Sequence, residues 1–210
     1  MLDLNKIREK YKLNFKGVIH IGAHVGKEIE VYEKMNIQRV LFIEANPAVY
    51  NELLKVKSSK CRLIFSKCAI ADIDGESDFY VMSGSQSSSL LAPARHLEIY
   101  PKSVVKKRIR VTTKRLTTLF DEQQLLIDDY NFVNIDIQGA ELLAFKGMGS
   151  MLEKIDAINT EVEREELYKG CAQEAEVTAY LAQYGFTLVE SCNGGHPSWG
   201  DNFYISRRLR

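Results

Sequence analysis

Only four prolines, four cysteines and one tryptophan occur among the 210 residues, and no apolar run is long enough to span a bilayer. So little proline beside 45% hydrophobic residues excludes a collagen-like or mainly disordered chain, because burial of that apolar surface offsets the entropy lost on ordering. Cys61, Cys68, Cys171 and Cys192 form no CxxC pair and are too sparse for a disulfide framework, so they are expected to be reduced and structural. The tight ligand spacing of a structural zinc site is missing, and no metal is expected. Neither charge is in excess, with 28 Lys plus Arg against 28 Asp plus Glu, so no overall field would draw the protein to nucleic acid or to an anionic membrane. No signal-peptide core is seen either, and the expected location is the cytoplasm.

What is present fits one domain over residues 1–210, with residues 1–16 as an N-terminal helical extension in which Leu4, Ile7 and Tyr11 alternate with Lys6, Arg8 and Lys10. Beyond it, short apolar runs alternate with helical stretches, as in an α/β fold whose mostly parallel sheet is covered by helices on both faces. Val18-Ile19-His20-Ile21 reads as the first strand, and Arg39-Val40-Leu41-Phe42-Ile43 as the second. Asn46 and Pro47 then form an N-cap and first turn. The stretches 63–65 and 68–70 suggest one third strand region, and 78–81 and 109–112 alternate like strands of a half-exposed sheet.

Further strands are expected at 132–137 and 157–162. Val177, Tyr180, Leu181 and Tyr184 then give a helix capped by Gly185. Runs 186–190 and 203–206, joined by a glycine-rich loop, predict an antiparallel C-terminal strand at the sheet edge. Lys106, Lys107, Arg108, Arg110, Lys114 and Arg115 read as the solvated face of a strand, and Arg207, Arg208 and Arg210 as a solvated tail.

In open α/β sheets ligands bind beyond the carboxyl ends of the strands. Gly22-Ala23-His24-Val25-Gly26 follows the first strand there, but His24 occupies the position at which a dinucleotide fingerprint needs its second glycine. NAD is therefore disfavoured. Glu44, ending the second strand, is placed for a carboxylate to accept hydrogen bonds from ribose hydroxyls, which points to an adenosine-containing ligand.

Four motifs occur in order: His20-Ile21-Gly22-Ala23-His24-Val25-Gly26, Phe42-Ile43-Glu44-Ala45-Asn46-Pro47, Ser87-Ser88-Ser89-Leu90 and Asp136-Ile137-Gln138-Gly139-Ala140-Glu141. Together with Thr160-Glu161-Val162 and the closing Trp199-Gly200-Asp201-Asn202-Phe203-Tyr204-Ile205, the set resembles the FkbM-type methyltransferases from about Gly17 onward. The resemblance implies a Rossmann-like class I methyltransferase that uses S-adenosylmethionine, in a family associated with O-methylation of sugars and secondary metabolites.

By that resemblance Gly22, Ala23, His24 and Gly26 form the loop at the methionine end, Glu44 meets the ribose, and Asn46 lies near the adenosine. Ala69 and Ile70, with Asp72 nearby, would flank the adenine; Ser88 and Ser89 would lie near the cofactor, and Asp136 would face the reacting centre. Two positions depart from the pattern, His20 and Gln138, where many members carry acids. His20 is expected to be a hydrogen-bonded core residue instead of a catalytic one.

Methyl transfer to a hydroxyl needs an acceptor held against the methyl, and a base raises the rate by roughly 10² to 10⁴ fold. Asp136 is the first candidate for that base, its other reading being a partner of the cofactor amine. Glu161 and Glu163 would orient the acceptor or be ordinary solvated carboxylates. His24 and His196 are further candidates for the base, and Trp199 beside His196 suits either a sugar-binding lid or a hairpin anchor. The expected acceptor is a small molecule or glycan hydroxyl. A nucleic-acid methyltransferase is disfavoured by the missing Pro-Pro-aromatic tetrapeptide and basic charge. A non-catalytic adenosine-binding module is the alternative, raised by His20 and Gln138. Asp136, Glu161 and Glu163 offer the oxygen donors Mg²⁺ prefers, but as three scattered carboxylates.

Overall fold

The computed structural model describes residues 2–209. Its strands are β1 (Gly17–Ile21), β2 (Arg39–Ile43), β3 (Arg62–Ser66), β4 (Ala69–Ile70), β5 (Gly75–Met82), β6 (Val105–Lys114), β7 (Phe132–Ile135), β8 (Ala157–Glu163), β9 (Phe186–Asn193) and β10 (Trp199–Ser206). The α-helices are α1 (Leu4–Lys10), α2 (Ile29–Lys34), α3 (Pro47–Leu53), α4 (His96–Ile99), α5 (Leu116–Glu122), α6 (Glu141–Met148) and α7 (Glu174–Gln183).

Seven strands form the main sheet in the order β3-β2-β1-β7-β8-β10-β9, and its first five are parallel. Successive side chains on a strand point to opposite faces, so each buried strand feeds two cores. Ile19, Leu41, Val133 and Ile158 pack beneath α5, α6 and α7, whereas Val18, Val40, Phe132 and Phe203 pack beneath α1, α2 and α3. Each such side chain taken fully out of water contributes about 1.5–3 kcal/mol before entropy is charged against it. The N-terminal extension joins the second core, with Ile7, Leu13 and Phe15 buried and Phe15 stacked on Phe132 at 4.4 Å between ring centroids.

Several boundaries follow from local chemistry as expected. Asn46 Oδ1 accepts the Ala48 amide proton, with Pro47 in the first turn of α3. Gly185 takes the left-handed conformation, φ +82°, just beyond α7.

Three expectations change. The single strand region proposed over 63–70 is two strands in different sheets: β3 extends the main sheet, while β4 joins β5 and β6 in a separate sheet ordered β4-β6-β5. Within that second sheet Arg108 and Arg110 pair with Asp78 across β5 and β6, so the basic run there is a solvated, ion-paired face. The antiparallel C-terminal strand is not itself the edge. β10 lies between β8 and β9, antiparallel to both. It is apolar on both faces through Phe203, Tyr204 and Ile205 and buried over 200–206, while β9 carries Glu190, Ser191 and Asn193 and tolerates the exposed edge. Arg208 is docked by an ion pair with Asp156 at 2.8 Å instead of belonging to a free tail, and Arg210 lies outside the described residues.

The chain builds outward through β1, β2 and β3, then returns across β1 to β7 and β8. Strand order therefore reverses between β1 and β7, and the residues just beyond their carboxyl ends, Gly22 and Asp136, flank the crevice where α/β sheets bind ligands.

Candidate active site

A cavity of about 1000 Å³ opens at this switch point. Its floor begins at Gly22, whose φ of +82° favours glycine and where a Cβ would stand 1.9 Å from the Asp136 carbonyl oxygen. The bare backbone lets the ends of β1 and β7 touch and leaves room above the turn. The amides of Gly22 and Ala23 both donate to the Ile43 carbonyl, at 2.9 and 3.0 Å.

Glu44 ties this turn to the next. Its Oε2 accepts the His24 amide proton at 2.9 Å and its Oε1 accepts that of Asn46 at 2.7 Å. A carboxylate offers about four lone-pair directions, so roughly two stay available for hydroxyl donors in the cavity. Burial raises the Glu44 pKa, and the backbone donors pull it back. His24 is held at φ +48° with its Nε2 2.8 Å from Ser85 Oγ, and burial followed by the charge of Lys27 lowers its pKa.

Of the residues the sequence assigned to the cofactor, Gly22, Ala23, His24, Glu44, Ala69, Ile70, Ser88 and Asp136 line the cavity. Gly26, Asn46 and Ser89 do not; they build its walls. A Cβ at Gly26 would meet Leu53 Cδ1 at 2.8 Å, so this glycine serves the packing of the loop on α3. Asn46 caps α3, and Ser89 Oγ donates to the Gln138 carbonyl at 2.8 Å.

The other half of the cavity is acidic. Asp136, Glu161 and Glu163 line it, and Glu141 is buried behind it with Oε1 accepting the Ile137 amide proton at 2.9 Å. Gln138 Nε2 donates to Asp136 Oδ1 at 2.8 Å and to Glu161 Oε1 at 2.6 Å. The Asp136 side chain is open to the cavity but ringed by its walls, and this enclosure raises its pKa to about 6, against the lowering effect of the Gln138 hydrogen bond. Glu161 is pushed well above the usual carboxylate range by burial and then by the neighbouring charges of Asp136, Glu141 and Glu163. Burial, followed by the charges of Glu141 and Asp136, raises Glu163 to about 9. At neutral pH Asp136 is therefore predominantly ionised beside a protonated Glu163.

His196 is not part of this arrangement. It lies on the β9–β10 turn outside the cavity, with Nδ1 2.8 Å from Ser198 Oγ, and Ser198 in turn donates to Glu165 at 2.8 Å. The turn lies at the carboxyl end of β8, where Trp199 pairs with Glu163, but the His196 imidazole bonds within the turn and does not line the cavity, so its catalytic assignment is corrected to a turn-stabilising one. Trp199 does line the cavity, at the start of β10, with its Nε1 donating to Tyr100 Oη at 3.0 Å. Its ring also lies against Gly194, where a Cβ would come within 2.3 Å of it, so it anchors the hairpin and walls the cavity at once. His20 is 3% exposed, with Nδ1 3.0 Å from Tyr32 Oη, as a core histidine should be. Among the described residues no three or more His, Cys, Asp or Glu side chains are grouped to hold a metal ion, and no helix is long and apolar enough to cross a membrane.

Sequence reasoning missed Ser85, His96, Tyr168 and Glu141. Tyr168 Oη donates to Gln138 Oε1 at 2.7 Å and so fixes which end of that amide faces the acids. Only Glu141 left a usable signal: it follows Gly139 within a quoted motif and begins α6, where a carboxylate can receive free helix-start amides. The others sit in segments without periodicity.

A family model described as the methyltransferase FkbM domain matches residues 20–188. The 2-O-methyltransferase NoeI of Sinorhizobium fredii is 27% identical over 161 residues, which cover 73% of this chain and 65% of that protein. The chain thus matches slightly less than two thirds of that relative's length. Among solved structures, magnesium protoporphyrin IX methyltransferase from Synechocystis PCC 6803, with bound S-adenosylmethionine, superposes with a TM-score of 0.50 at 10% identity, covering 97% of this chain and 77% of that one. A protein of the NADB-Rossmann superfamily from Streptococcus agalactiae gives 0.51 at 11% identity, covering 98% and 69%. At these identities the likeness is one of fold.

Proposed function

Because the chain belongs to the methyltransferase FkbM domain family, we propose that it transfers a methyl group from S-adenosylmethionine to a hydroxyl of a sugar, glycan or related metabolite. The observation that carries this reading is the placement of two carboxylates across one cavity: Glu44 at the end of β2 and Asp136 at the end of β7.

The residues present fit the cofactor. Gly22 provides a turn free of side chain, Glu44 keeps acceptor capacity beside it, and Ala69 and Ile70 give an apolar wall for an adenine. The cavity volume is at the upper end of the roughly 300–1000 Å³ usual for ligand sites, room for a cofactor and an acceptor together. When bound, S-adenosylmethionine would supply an electrophilic methyl group on a sulfonium, with neutral S-adenosylhomocysteine as the leaving thioether. Gly22, Ala23 and His24 would hold its amino-acid end, and Glu44 would receive the ribose hydroxyls.

Asp136 then takes the hydroxyl proton. With its pKa near 6 it is mainly ionised at neutral pH yet still basic enough to accept a proton from the attacking hydroxyl. Gln138 holds its Oδ1, and the Asp136 side chain lines the cavity. Glu161, whose pKa burial raises, orients the acceptor by hydrogen bonding. Trp199 and Tyr168 exclude water from the transfer path.

The experiment is a thermal-shift titration with S-adenosylhomocysteine beside NAD, followed by methyl transfer from labelled donor to a panel of sugars. A ligand at about 100 times its dissociation constant stabilises the fold by roughly 2.7 kcal/mol. A saturable shift with the homocysteine compound alone, then label in a hydroxyl acceptor, is expected. A shift with NAD alone overturns the cofactor assignment, and cofactor binding without turnover on any hydroxyl favours the non-catalytic module.

A further inference from the structure

Glu163 presents a feature the proposed reaction does not use. The residue is 1% exposed, it lines the cavity, and neither Oε1 nor Oε2 has a hydrogen-bond partner among the described residues. Leaving a buried carboxyl unsatisfied is costly, more so when it is charged. An arrangement with this cost is maintained at a site that a ligand completes, where the missing partner arrives with the ligand.

The surroundings define that partner. Glu161 lies two positions earlier on β8 and faces the same side of the sheet, and Asp201 stands directly opposite Glu161 on β10. Trp199 stands opposite Glu163 in the same register, with its indole fixed by Tyr100. A second buried side chain of this chamber, His96, also has an unpartnered ring nitrogen, Nδ1, and lines the same cavity. Lys27 and Lys102 are the only lysines or arginines lining the cavity among the described residues, and neither pairs with Glu163. Carboxyl oxygens without a paired cation, with an indole opposite in the same register, form an environment that attracts an ammonium through charge and hydrogen bonds.

The cofactor is itself cationic, but its binding turn follows β1. β8 is two strands away across β7, roughly 9–10 Å at the usual strand spacing, and Glu163 lies farther along than Glu161. Glu163 therefore belongs to the acceptor's end of the cavity.

We propose that the acceptor carries an ammonium group beside its hydroxyl, as an amino sugar or amino alcohol does, and that Glu163, with Glu161 beside it and the Trp199 ring opposite, binds that group. The inference rests on the methyltransferase reading of the cavity. It also carries a proton signature: burial and the nearby charges of Glu141 and Asp136 keep Glu163 protonated at neutral pH, so an arriving ammonium expels that proton.

The test is isothermal titration at about pH 7 of the protein saturated with S-adenosylhomocysteine, using glucosamine, N-acetylglucosamine and glucose as probes. Glucosamine is expected to bind at least tenfold more tightly than the two neutral sugars and to release a proton, read as a heat that varies with the ionisation enthalpy of the buffer. In Glu163→Gln the preference and the proton release should disappear while S-adenosylhomocysteine binds as before, which also shows that the variant is folded. Equal binding of the three sugars, no binding of glucosamine, or a preference that survives Glu163→Gln overturns the ammonium site alone. Failure of S-adenosylhomocysteine to bind the unmodified protein overturns the methyltransferase reading and this site with it.

Discussion

Gln138 Nε2 donates a 2.6 Å hydrogen bond to Glu161 Oε1, joining the loop after β7 to the end of β8 through side chains 23 positions apart. An amide is the side chain that can do this beside Asp136, because a carboxylate in its place would add a further acid to the cluster and remove the donor. The departure of Gln138 from the acidic residue of its family motif is thus matched by its neighbours.

Replacing Gln138 by Leu should move the acidic limb of the rate profile. The Gln138 hydrogen bond lowers the Asp136 pKa, so its loss raises that pKa above about 6, and turnover falls at pH 6 while recovering toward pH 8. On the acid limb the rate follows the ionised fraction of Asp136, so a tenfold smaller acidity constant lowers turnover there by about tenfold. A kcat profile unchanged from pH 5 to pH 9 would separate Asp136 from the proton transfer.

Glu44→Gln should weaken S-adenosylhomocysteine more than it weakens the fold, since the neutral side chain retains an acceptor for one backbone amide. Loss of charge-assisted bonds is worth about 1.5–3 kcal/mol, or roughly 10- to 150-fold in the dissociation constant. Direct titration reads it, and an unaltered affinity removes Glu44 from the ribose site.

Stability of the unliganded protein should decline as pH rises. Glu163 has a folded pKa near 9 against an ordinary 4.5, so the folded state binds the extra proton; its contribution is intact below about 4.5 and is lost as pH rises toward 9. Glu163→Gln keeps a neutral group there at every pH. The variant should melt at a higher temperature than the unmodified protein at pH 8.5, by about 2–4 °C for each kcal/mol relieved, and the gap should close at pH 5. A constant gap across that range contradicts the buried-carboxyl account.

His196→Ala should change kcat/KM by less than about twofold, because the imidazole lies outside the cavity and bonds to Ser198. A loss of a hundredfold or more would return this histidine to the reaction and place the β9–β10 turn over the site.

Much of this architecture is legible in local chemistry. Asn46 and Pro47 start α3 because the side chain and the ring satisfy what a helix start lacks, and those needs are met within two residues. The strands before Gly22 and Glu44 read from apolar runs because both of their faces are covered. The third strand region read less well: apolar residues recur from 63 to 70, and nothing local says that the chain leaves one sheet for another between Ser66 and Ala69. Tyr168 and His96 were invisible for a related reason. They come from irregular or single-turn segments and matter only through Gln138 and the cavity, far away in sequence.

Neighbouring residues along the chain were enough to set the alternation of strands and helices, the two turns that follow β1 and β2, and Asp136 as the acid beside the crevice, since each depends on contacts within a few residues. Only the closed fold placed β10 inside β9, kept His196 out of the cavity, and gathered Glu161 and Glu163 into one chamber. Those outcomes depend on desolvation and on pairings such as that of Trp199 with Tyr100, 99 positions apart, and such energies exist only once the chain has closed on itself.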